Sequence, residues 1–322
     1  MLKIGVLGGD EISHAHLSVL QELNSFDITG FYAPDEKNAS KILSKFNVAQ
    51  FTDIETLIQH SDVIDIASSS VPHYKCAELT LKNTKHLFIE NPVTSTIDEA
   101  KKLLNLTHEA DVKVQIGNVE RFNPAFTALV PLIDHPICIE TNRMLKFDIN
   151  KTFNSVVLDL MIHDLDLILS IVNSNVRKVN AHGLALTNGS PDYVHARIEF
   201  DNGCVATLSA SRISFKDDIN LTVYQKDSTY FVDLLNKKCE TLNIKGIKNL
   251  KVDRGSVNPN ELYFNYPQIK ESNIIKEELN GFAKAIINNT DTPVTIEESY
   301  LAIEVATRIL EKLKLNPNLI ED

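Results

Sequence analysis

The chain has 322 residues, of which 43% are hydrophobic and 23% charged, and its formal net charge at pH 7 is −11. This length is enough for two ordinary domains, and the composition is normal for a globular protein. The acidity disfavours nucleic acid or an anionic membrane as the main partner, because both attract basic patches. No apolar run is long enough to span a bilayer.

The first third of the chain alternates strand and helix. Short apolar runs such as "LKIGVLG" and "SDVIDIASSS" are separated by segments with helical spacing, such as "SHAHLSVLQEL". We also expect "VAQFTD" to form a short strand. This alternation predicts β-α-β units, a parallel sheet and right-handed crossovers. We therefore expect an α/β fold that begins with a doubly wound domain over residues 1–122.

The second part of the chain, residues 123–322, has a different pattern. One helix, "VVLDLMIHDLDLILSIV", precedes most of a series of closely spaced strand-like runs from "ICIETNRML" to "CETLNIKG". The "DNG" between two alternating runs predicts a hairpin, and the series predicts a largely antiparallel sheet. The polar stretch from Lys245 to Gln268 is expected to be a long loop. Two helices follow, and they are able to pack back on the first domain.

The four cysteines are widely spaced and contain no C-x-x-C pair. This scatter predicts reduced core thiols, no disulfide framework and no metal site. At the N-terminus, Gly8, Gly9 and Asp10 interrupt any signal-peptide core. A cytoplasmic protein is the simplest interpretation.

The turn after the first strand resembles a dinucleotide fingerprint in which only the first glycine remains. The pattern G-x-G-x-x-G is represented here by Gly8, Gly9, Asp10 and, at its last position, Ser13. A carboxylate at Asp10 would face the pyrophosphate, and like charges ~4 Å apart repel by about 1 kcal/mol in water. Aspartate is also a favoured helix N-cap. Asp10 can therefore either disturb a phosphate site or cap an ordinary helix.

The end of the second strand does not decide between NAD and NADP. An NAD site usually carries an acid there to bind the ribose hydroxyls, and this chain has Ala33. A 2′-phosphate would instead require Arg or Lys, but Asp35 and Glu36 follow closely, with Lys37 as the nearby cation.

Four fragments in order, "GVLGGDEISHAHL", "HLFIENPVT", "VQIGNVERFNPAF" and "VVLDLMIHDLDLILSIV", resemble the Gfo/Idh/MocA oxidoreductase family over nearly the whole chain. The resemblance implies an N-terminal Rossmann domain and a C-terminal α+β domain with a large open antiparallel sheet. It implies NAD or NADP as cofactor and a sugar or polyol as substrate. The last two fragments are most similar to members that act on nucleotide sugars, such as UDP-N-acetylglucosamine 3-dehydrogenases.

On the cofactor side, this sequence departs from the family pattern at several positions. The family's Glu-Lys-Pro is Glu90, Asn91 and Pro92 here, and Asn91 cannot serve as a proton acid or base. Ser69 stands where a proline often lies against the nicotinamide, and Asn118 where a histidine is frequent.

On the substrate side, the match is better. The resemblance implies that Arg121 and Asn123 bind substrate and that His163 is the catalytic acid or base. Asp159 precedes His163 by four residues, so both would lie on one helix face and the carboxylate could orient the imidazole. Without the resemblance, the polar stripe of an amphipathic helix would be the favoured interpretation of the same residues.

Two hypotheses follow. In the first, the chain is an NAD(P)-dependent oxidoreductase that acts on a hydroxyl or carbonyl carbon of a sugar or nucleotide sugar, with Asn91 taking the place of the lysine. In the second, it is a catalytically inactive relative that binds a sugar-type ligand without a dinucleotide. The resemblance also implies a homo-oligomer, dimer or tetramer, since the open face of the C-terminal sheet needs covering.

Overall fold

The computed structural model describes residues 1–68, 70–94, 96–149, 155–186, 190–243 and 264–314. The chain divides into two compact units. Unit 1 comprises Met1–Phe122 and Ser272–Leu301, and unit 2 comprises Asn123–Glu271 and Ala302–Asp322. The first boundary falls where the sequence changes pattern, while a segment from the end of the chain belongs to unit 1.

Unit 1 is built on a five-stranded, wholly parallel sheet with the order β2-β1-β3-β4-β5. This confirms the predicted doubly wound architecture. The strands are β1 (Leu2–Leu7), β2 (Phe26–Tyr32), β3 (Val63–Ile66), β4 (His86–Glu90) and β5 (Val114–Gly117).

Most helices of unit 1 begin at polar residues that cap their free backbone amides, whereas the fourth helix follows Pro72 and has no side-chain cap. Aspartate caps the first three helices, Thr96 caps the fifth and Asn273 caps the eighth. The helices are α1 (Glu11–Leu20), α2 (Glu36–Lys45), α3 (Ile54–His60), α4 (His73–Lys82), α5 (Ile97–Ala110) and α8 (Ile274–Asn288), followed by the start of α9 (Ile296–Lys314).

The core of unit 1 joins the first strands to a helix from the far end of the sequence. Ile4 and Val6 of β1 lie in the same buried cluster as Leu279 and Phe282 of α8. The rings of Phe88 and Phe282 meet edge to face with centroids 5.8 Å apart. The parallel sheet therefore depends on residues more than 270 positions from its first strand.

Unit 2 contains an eight-stranded sheet with the order β13-β12-β11-β10-β6-β9-β8-β7, and the pairing is antiparallel except between β6 and β9. Two helices, α6 (Pro124–Leu129) and α7 (Ile162–Ile171), accompany it. The strands are β6 (Cys138–Lys146), β7 (Val176–Leu184), β8 (Tyr193–Phe200), β9 (Val205–Ser214), β10 (Asp218–Tyr224), β11 (Ser228–Asp233), β12 (Lys238–Asn243) and β13 (Phe264–Asn265).

Three local predictions differ from the structure. "VAQFTD" forms only an isolated bridge, in which Gln50 pairs with Phe31. The single helix predicted over "VVLDLMIHDLDLILSIV" follows β6. It starts with a π turn, Val157–Met161, and continues as α7. Most of the predicted loop from Lys245 to Gln268 lies outside the described residues, but its last part includes β13, which pairs with β12.

The predicted "DNG" hairpin is confirmed, since β8 and β9 pair antiparallel across it and Gly203 has φ +88°. All four cysteines are free. Within the described ranges, the structure has no helix long and apolar enough to cross a bilayer.

Candidate active site

The carboxyl ends of parallel strands meet at one edge of a sheet, and this edge is where doubly wound domains bind their ligands. In unit 1, most of the predicted cofactor residues follow these strand ends directly. Gly8 and Gly9 follow β1, Ala33 follows β2, and Glu90 ends β4, with Asn91 and Pro92 directly after it. Ser69, which was predicted to lie in the loop after β3, is outside the described residues.

The glycine turn after β1 is tightly packed against neighbouring loops. Gly8 has φ +139°, and a Cβ atom there would lie 2.1 Å from the Cβ of Ser68, so that no other residue fits without a shift. A Cβ on Gly9 would lie 2.9 Å from the Cβ of Ala33. The turn therefore brings together the ends of β1, β2 and β3.

Asp10 caps helix α1 with its side chain. Its Oδ1 atom accepts hydrogen bonds from the backbone N–H of Ile12 at 3.2 Å and of Ser13 at 3.4 Å. Its Oδ2 atom accepts a hydrogen bond of 2.7 Å from the hydroxyl of Ser68, which follows β3. The carboxylate thus joins the amides at the N-terminus of α1 to the loop after the third strand.

These amides are the groups with which a Rossmann domain holds a diphosphate. Here they already donate to Asp10, and Asp10 would place a negative charge beside the phosphates. In this conformation the turn does not fit a diphosphate, and a dinucleotide can use these amides only after the Asp10 side chain has turned away.

The end of β2 also lacks a carboxylate for ribose hydroxyls. Ala33 has no polar side-chain atom, and Asp35 caps α2 by accepting hydrogen bonds from the backbone N–H of Lys37 and Asn38, both at 3.2 Å. The nearest acid after this strand is therefore engaged with the backbone of its own helix.

Asn91 and Arg121 each make a specific contact within unit 1. The Asn91 amide donates to the carbonyl oxygen of Gly117 at 3.0 Å, and the peptide bond between Asn91 and Pro92 is cis. The guanidinium of Arg121 donates to the Glu298 carboxylate at 3.2 Å. The side chain predicted to hold an anionic part of the substrate is thus paired with an acid of α9.

A buried group of ionisable side chains lies behind the strand ends; we call it the carboxylate cluster. It consists of His16, Asp65, Glu90 and Glu278. The imidazole Nδ1 of His16 lies 2.9 Å from the Asp65 carboxylate, and its Nε2 lies 3.1 Å from that of Glu90. Glu278 accepts a hydrogen bond of 2.7 Å from the backbone N–H of Asn118. His16, Asp65 and Glu278 are at most 1% exposed.

Two members of the carboxylate cluster, His16 and Glu278, have raised pKa values. Burial alone would lower the pKa of His16, but Asp65 and Glu90 outweigh it and raise that pKa well above 6.5. Burial, followed by the charge of Glu90, raises the pKa of Glu278 well above its ordinary value. The sequence-based analysis missed this cluster. One available signal was Asp65 itself, a charged residue inside the buried strand "VIDI".

In unit 2, the predicted catalytic pair lies on the turn and helix that connect β6 and β7. His163 is half-buried on α7, and Asp159 lies in the π turn before it, where its carboxylate accepts a hydrogen bond of 3.1 Å from the backbone N–H of Ser155. Because of the π turn, the two residues do not share a regular α-helical spacing.

Arg143 is a residue of this region that the sequence-based analysis did not identify. It lies on β6, and its Nε and Nη2 atoms donate to one carboxylate oxygen of Asp164 at 3.1 and 2.9 Å. Burial, followed by the charge of Arg143, lowers the pKa of His163, so that its imidazole is neutral at pH 7. The sequence did contain a signal for Arg143. Ile139, Thr141 and Arg143 occupy alternate positions of one strand and therefore share its buried face.

Asn123 has a structural position in unit 2. Its side-chain oxygen accepts from the backbone N–H of Ala125 and so caps α6, and its amide donates to the carbonyl oxygen of Leu234 at 2.9 Å. The side chain is only 2% exposed, which disfavours direct contact with a substrate.

The parallel sheet with a glycine turn at its ligand-binding edge, together with the large mixed sheet of unit 2, defines a two-domain α/β protein of the Rossmann type. Residues 2–118 match the oxidoreductase family with an NAD-binding Rossmann fold, and residues 142–230 match the GFO/IDH/MocA C-terminal domain. The chain therefore belongs to the Gfo/Idh/MocA family of oxidoreductases.

Curated relatives include dehydrogenases of sugars and polyols. The chain is 26% identical to the UDP-N-acetylglucosamine 3-dehydrogenase of Acidithiobacillus ferrooxidans over 73% of this chain and 75% of the relative. It is 23% identical to the myo-inositol 2-dehydrogenase of Thermotoga maritima over 94% and 93% of the two chains. The fold of this chain is similar to that of a solved structure of the Acidithiobacillus enzyme, with a TM-score of 0.88, 21% identity and 99% coverage of both chains.

Proposed function

We propose that this protein is an oxidoreductase that acts on a hydroxyl or carbonyl carbon of a sugar or nucleotide sugar, with NAD or NADP as its cofactor. The observation that carries the proposal is the half-buried imidazole of His163 on α7, within the segment that matches the C-terminal domain of an oxidoreductase family. Nucleotide sugars and polyols are the substrates to test first, because the names of the relatives include UDP-N-acetylglucosamine and myo-inositol.

The chain's own residues supply proton transfer and positioning. A neutral imidazole can accept the hydroxyl proton of an alcohol substrate, and His163 is the residue we assign to this step. Burial lowers the pKa of that imidazole most, and the charge of Arg143, which is fixed by Asp164, lowers it further. Asp159 orients the turn that carries His163. The cofactor, when bound, supplies the hydride acceptor.

Cofactor binding and turnover test the proposal directly. The fluorescence of NADH and of NADPH is titrated with the wild-type protein, and NAD+ or NADP+ reduction is then followed at 340 nm with UDP-N-acetylglucosamine and with myo-inositol. We expect weak binding of at least one reduced cofactor and turnover of at least one substrate. Failure of both cofactors to bind at millimolar concentration would contradict the proposal.

The His163→Gln variant tests the role of the imidazole. We expect kcat to fall by about 10²- to 10⁴-fold, the usual contribution of a general acid or base, while KM changes little. The matched control is His182→Gln, which removes an exposed histidine of β7 in the same unit. Equal kcat values for the two variants would show that His163 does not take part in proton transfer.

A second candidate function is binding of a sugar-type ligand without a dinucleotide. It is favoured by the Asp10 carboxylate, which accepts the hydrogen bonds that a diphosphate would need, and by Asn91 at the position of the family's lysine. Under this alternative, calorimetry would detect a sugar or nucleotide sugar but neither cofactor. Tight binding of NADH whose fluorescence changes when substrate is added would reject it.

A further inference from the structure

We propose that Asp10 is an intramolecular competitor for the diphosphate of a dinucleotide and so determines how tightly unit 1 binds its cofactor. The inference rests on the proposed function in one respect only, the identity of the ligand as a nicotinamide dinucleotide. Asp10 is thereby assigned a role in cofactor affinity that is separate from any chemistry at His163.

The Asp10 carboxylate occupies the backbone N–H groups that a phosphate needs. The backbone N–H groups of Ile12 and Ser13 point to Oδ1 of Asp10. The hydroxyl of Ser13 lies 3.4 Å from the same oxygen, while it donates its shorter bond of 2.6 Å to the carbonyl oxygen of Ala67. The positive end of the α1 dipole, which would favour a phosphate, already favours this carboxylate.

Asp10 is held from the other side as well. Ser68 donates its hydroxyl to Oδ2 at 2.7 Å and accepts a hydrogen bond of 3.0 Å from the backbone N–H of Ser70. Ser68 also packs against Gly8, where a Cβ atom would lie 2.1 Å from the Ser68 Cβ. The loop after β3 therefore keeps the aspartate in place, which an ordinary N-cap would not require.

Charge also opposes a diphosphate at this turn. Glu11 follows Asp10 at the start of the same helix, so the first turn carries two negative charges. Repulsion between unit charges about 4 Å apart reduces affinity by about fivefold in water and by up to about a thousandfold at an intermediate dielectric. Removal of Asp10 both frees the amides and removes the nearer of these charges.

The test compares three proteins by calorimetry with ADP, which carries the diphosphate, and with adenosine, which does not. Asp10→Gly removes the side chain, and glycine at an N-cap costs the helix only a few tenths of a kcal/mol. Asp53→Gly is the matched control. Asp53 also caps a helix, α3, and its replacement by glycine likewise removes one negative charge. We expect Asp10→Gly to bind ADP and NADH at least about tenfold more tightly than the wild type, with adenosine unchanged and Asp53→Gly equal to the wild type.

A second variant protects the test against misfolding of the first. Ser68→Ala leaves Asp10 as the helix cap but removes the hydrogen bond that holds it, so we expect a smaller gain in ADP affinity. Equal ADP affinity of the wild type, Asp10→Gly and Ser68→Ala would overturn the inference, as would an equal gain for adenosine.

The outcome is distinguishable from a failure of the proposed function. Tighter ADP binding by Asp10→Gly, without turnover of any sugar, would support the inference and reject the proposed function. Turnover by a wild-type protein that binds NADH at micromolar concentration, with no gain in Asp10→Gly, would reject only the inference.

Discussion

At the scale of single residues, the carboxylate cluster of unit 1 is the feature that departs most from an ordinary hydrophobic core. An unpaired buried charge is expensive, and burial therefore favours whichever protonation state makes the group neutral or paired. His16 lies between the carboxylates of Asp65 and Glu90, so the charge of its protonated imidazole is paired. Glu278 retains its proton, because burial and then the charge of Glu90 raise its pKa.

Glu278→Gln should therefore change how stability depends on pH. The pKa of Glu278 is raised above 4.5 in the folded state, so the folded protein binds a proton that the unfolded chain loses, and the free energy of unfolding falls as pH rises above about 4.5. Glutamine stays neutral and keeps an oxygen to accept from Asn118 N–H. We expect the variant to gain stability relative to the wild type as pH rises from 5 to 9.

Urea denaturation at several pH values, followed by circular dichroism, measures this difference. His16 contributes in the same direction in both proteins, since its raised pKa gives stability that is lost as pH rises above about 6.5. The control is Glu277→Gln, which changes the exposed neighbour of Glu278 on α8. A difference between Glu278→Gln and the wild type that does not vary with pH would show that Glu278 is ionised in the folded protein.

At the scale of secondary structure elements, local chemistry accounts for most of what was predicted. Aspartate caps begin three helices of unit 1, and the "DNG" sequence forms the turn between β8 and β9. These signals act within a few residues, which is why they can be recognised without a structure. The bridge at Gln50 and the π turn at Val157–Met161 were not predicted, because packing rather than local preference decides them.

Gly203→Ala is expected to reduce the free energy of unfolding by about 1 kcal/mol, since Gly203 has φ +88° and a β-carbon is unfavourable in left-handed backbone conformations. No described heavy atom lies within 4 Å of the added Cβ, so steric contact adds nothing. Gly203→Asn should cost less, because asparagine tolerates positive φ. Chemical denaturation of the three proteins measures the effect, and an alanine variant as stable as the wild type would contradict it.

At the scale of the whole molecule, the division into units does not follow the order of the chain. Unit 1 takes Ser272–Leu301 from the end of the sequence, and α8 supplies both Phe282 for its core and Glu278 for the carboxylate cluster. The first 122 residues therefore contain all five parallel strands but not the helix that completes their core.

Phe282→Ala should be among the most destabilising single changes in unit 1. The side chain is fully buried and meets Phe88 edge to face, and removal of a buried phenylalanine typically costs about 3–5 kcal/mol. The control is Ile287→Ala on the same helix. The Ile287 side chain is 63% exposed, so this change should reduce the free energy of unfolding by less than about 0.5 kcal/mol. Urea denaturation compares the two. A similar loss in both variants would mean that α8 is not part of the unit 1 core.

The sequence by itself determined the architecture and the family. Strand and helix periodicity, glycine turns and four ordered motifs are local patterns, and they identified the parallel sheet of unit 1, the mostly antiparallel sheet of unit 2 and the Gfo/Idh/MocA oxidoreductases. Asp10 was recognised as either a helix cap or a disturbed phosphate site, but the sequence could not choose between them.

Only the tertiary structure decided the partners of the site residues. Ser68 meets Asp10 across 58 positions and Glu278 meets Asn118 across 160, and Arg143 of β6 pairs with Asp164 of α7. Such pairs are set by how strands and helices are brought together, and the free energy of burying a charge depends on those distant neighbours rather than on adjacent residues. For this reason the sequence placed a carboxylate in the first turn, and only the folded chain gave that carboxylate the hydroxyl of Ser68 as a second partner.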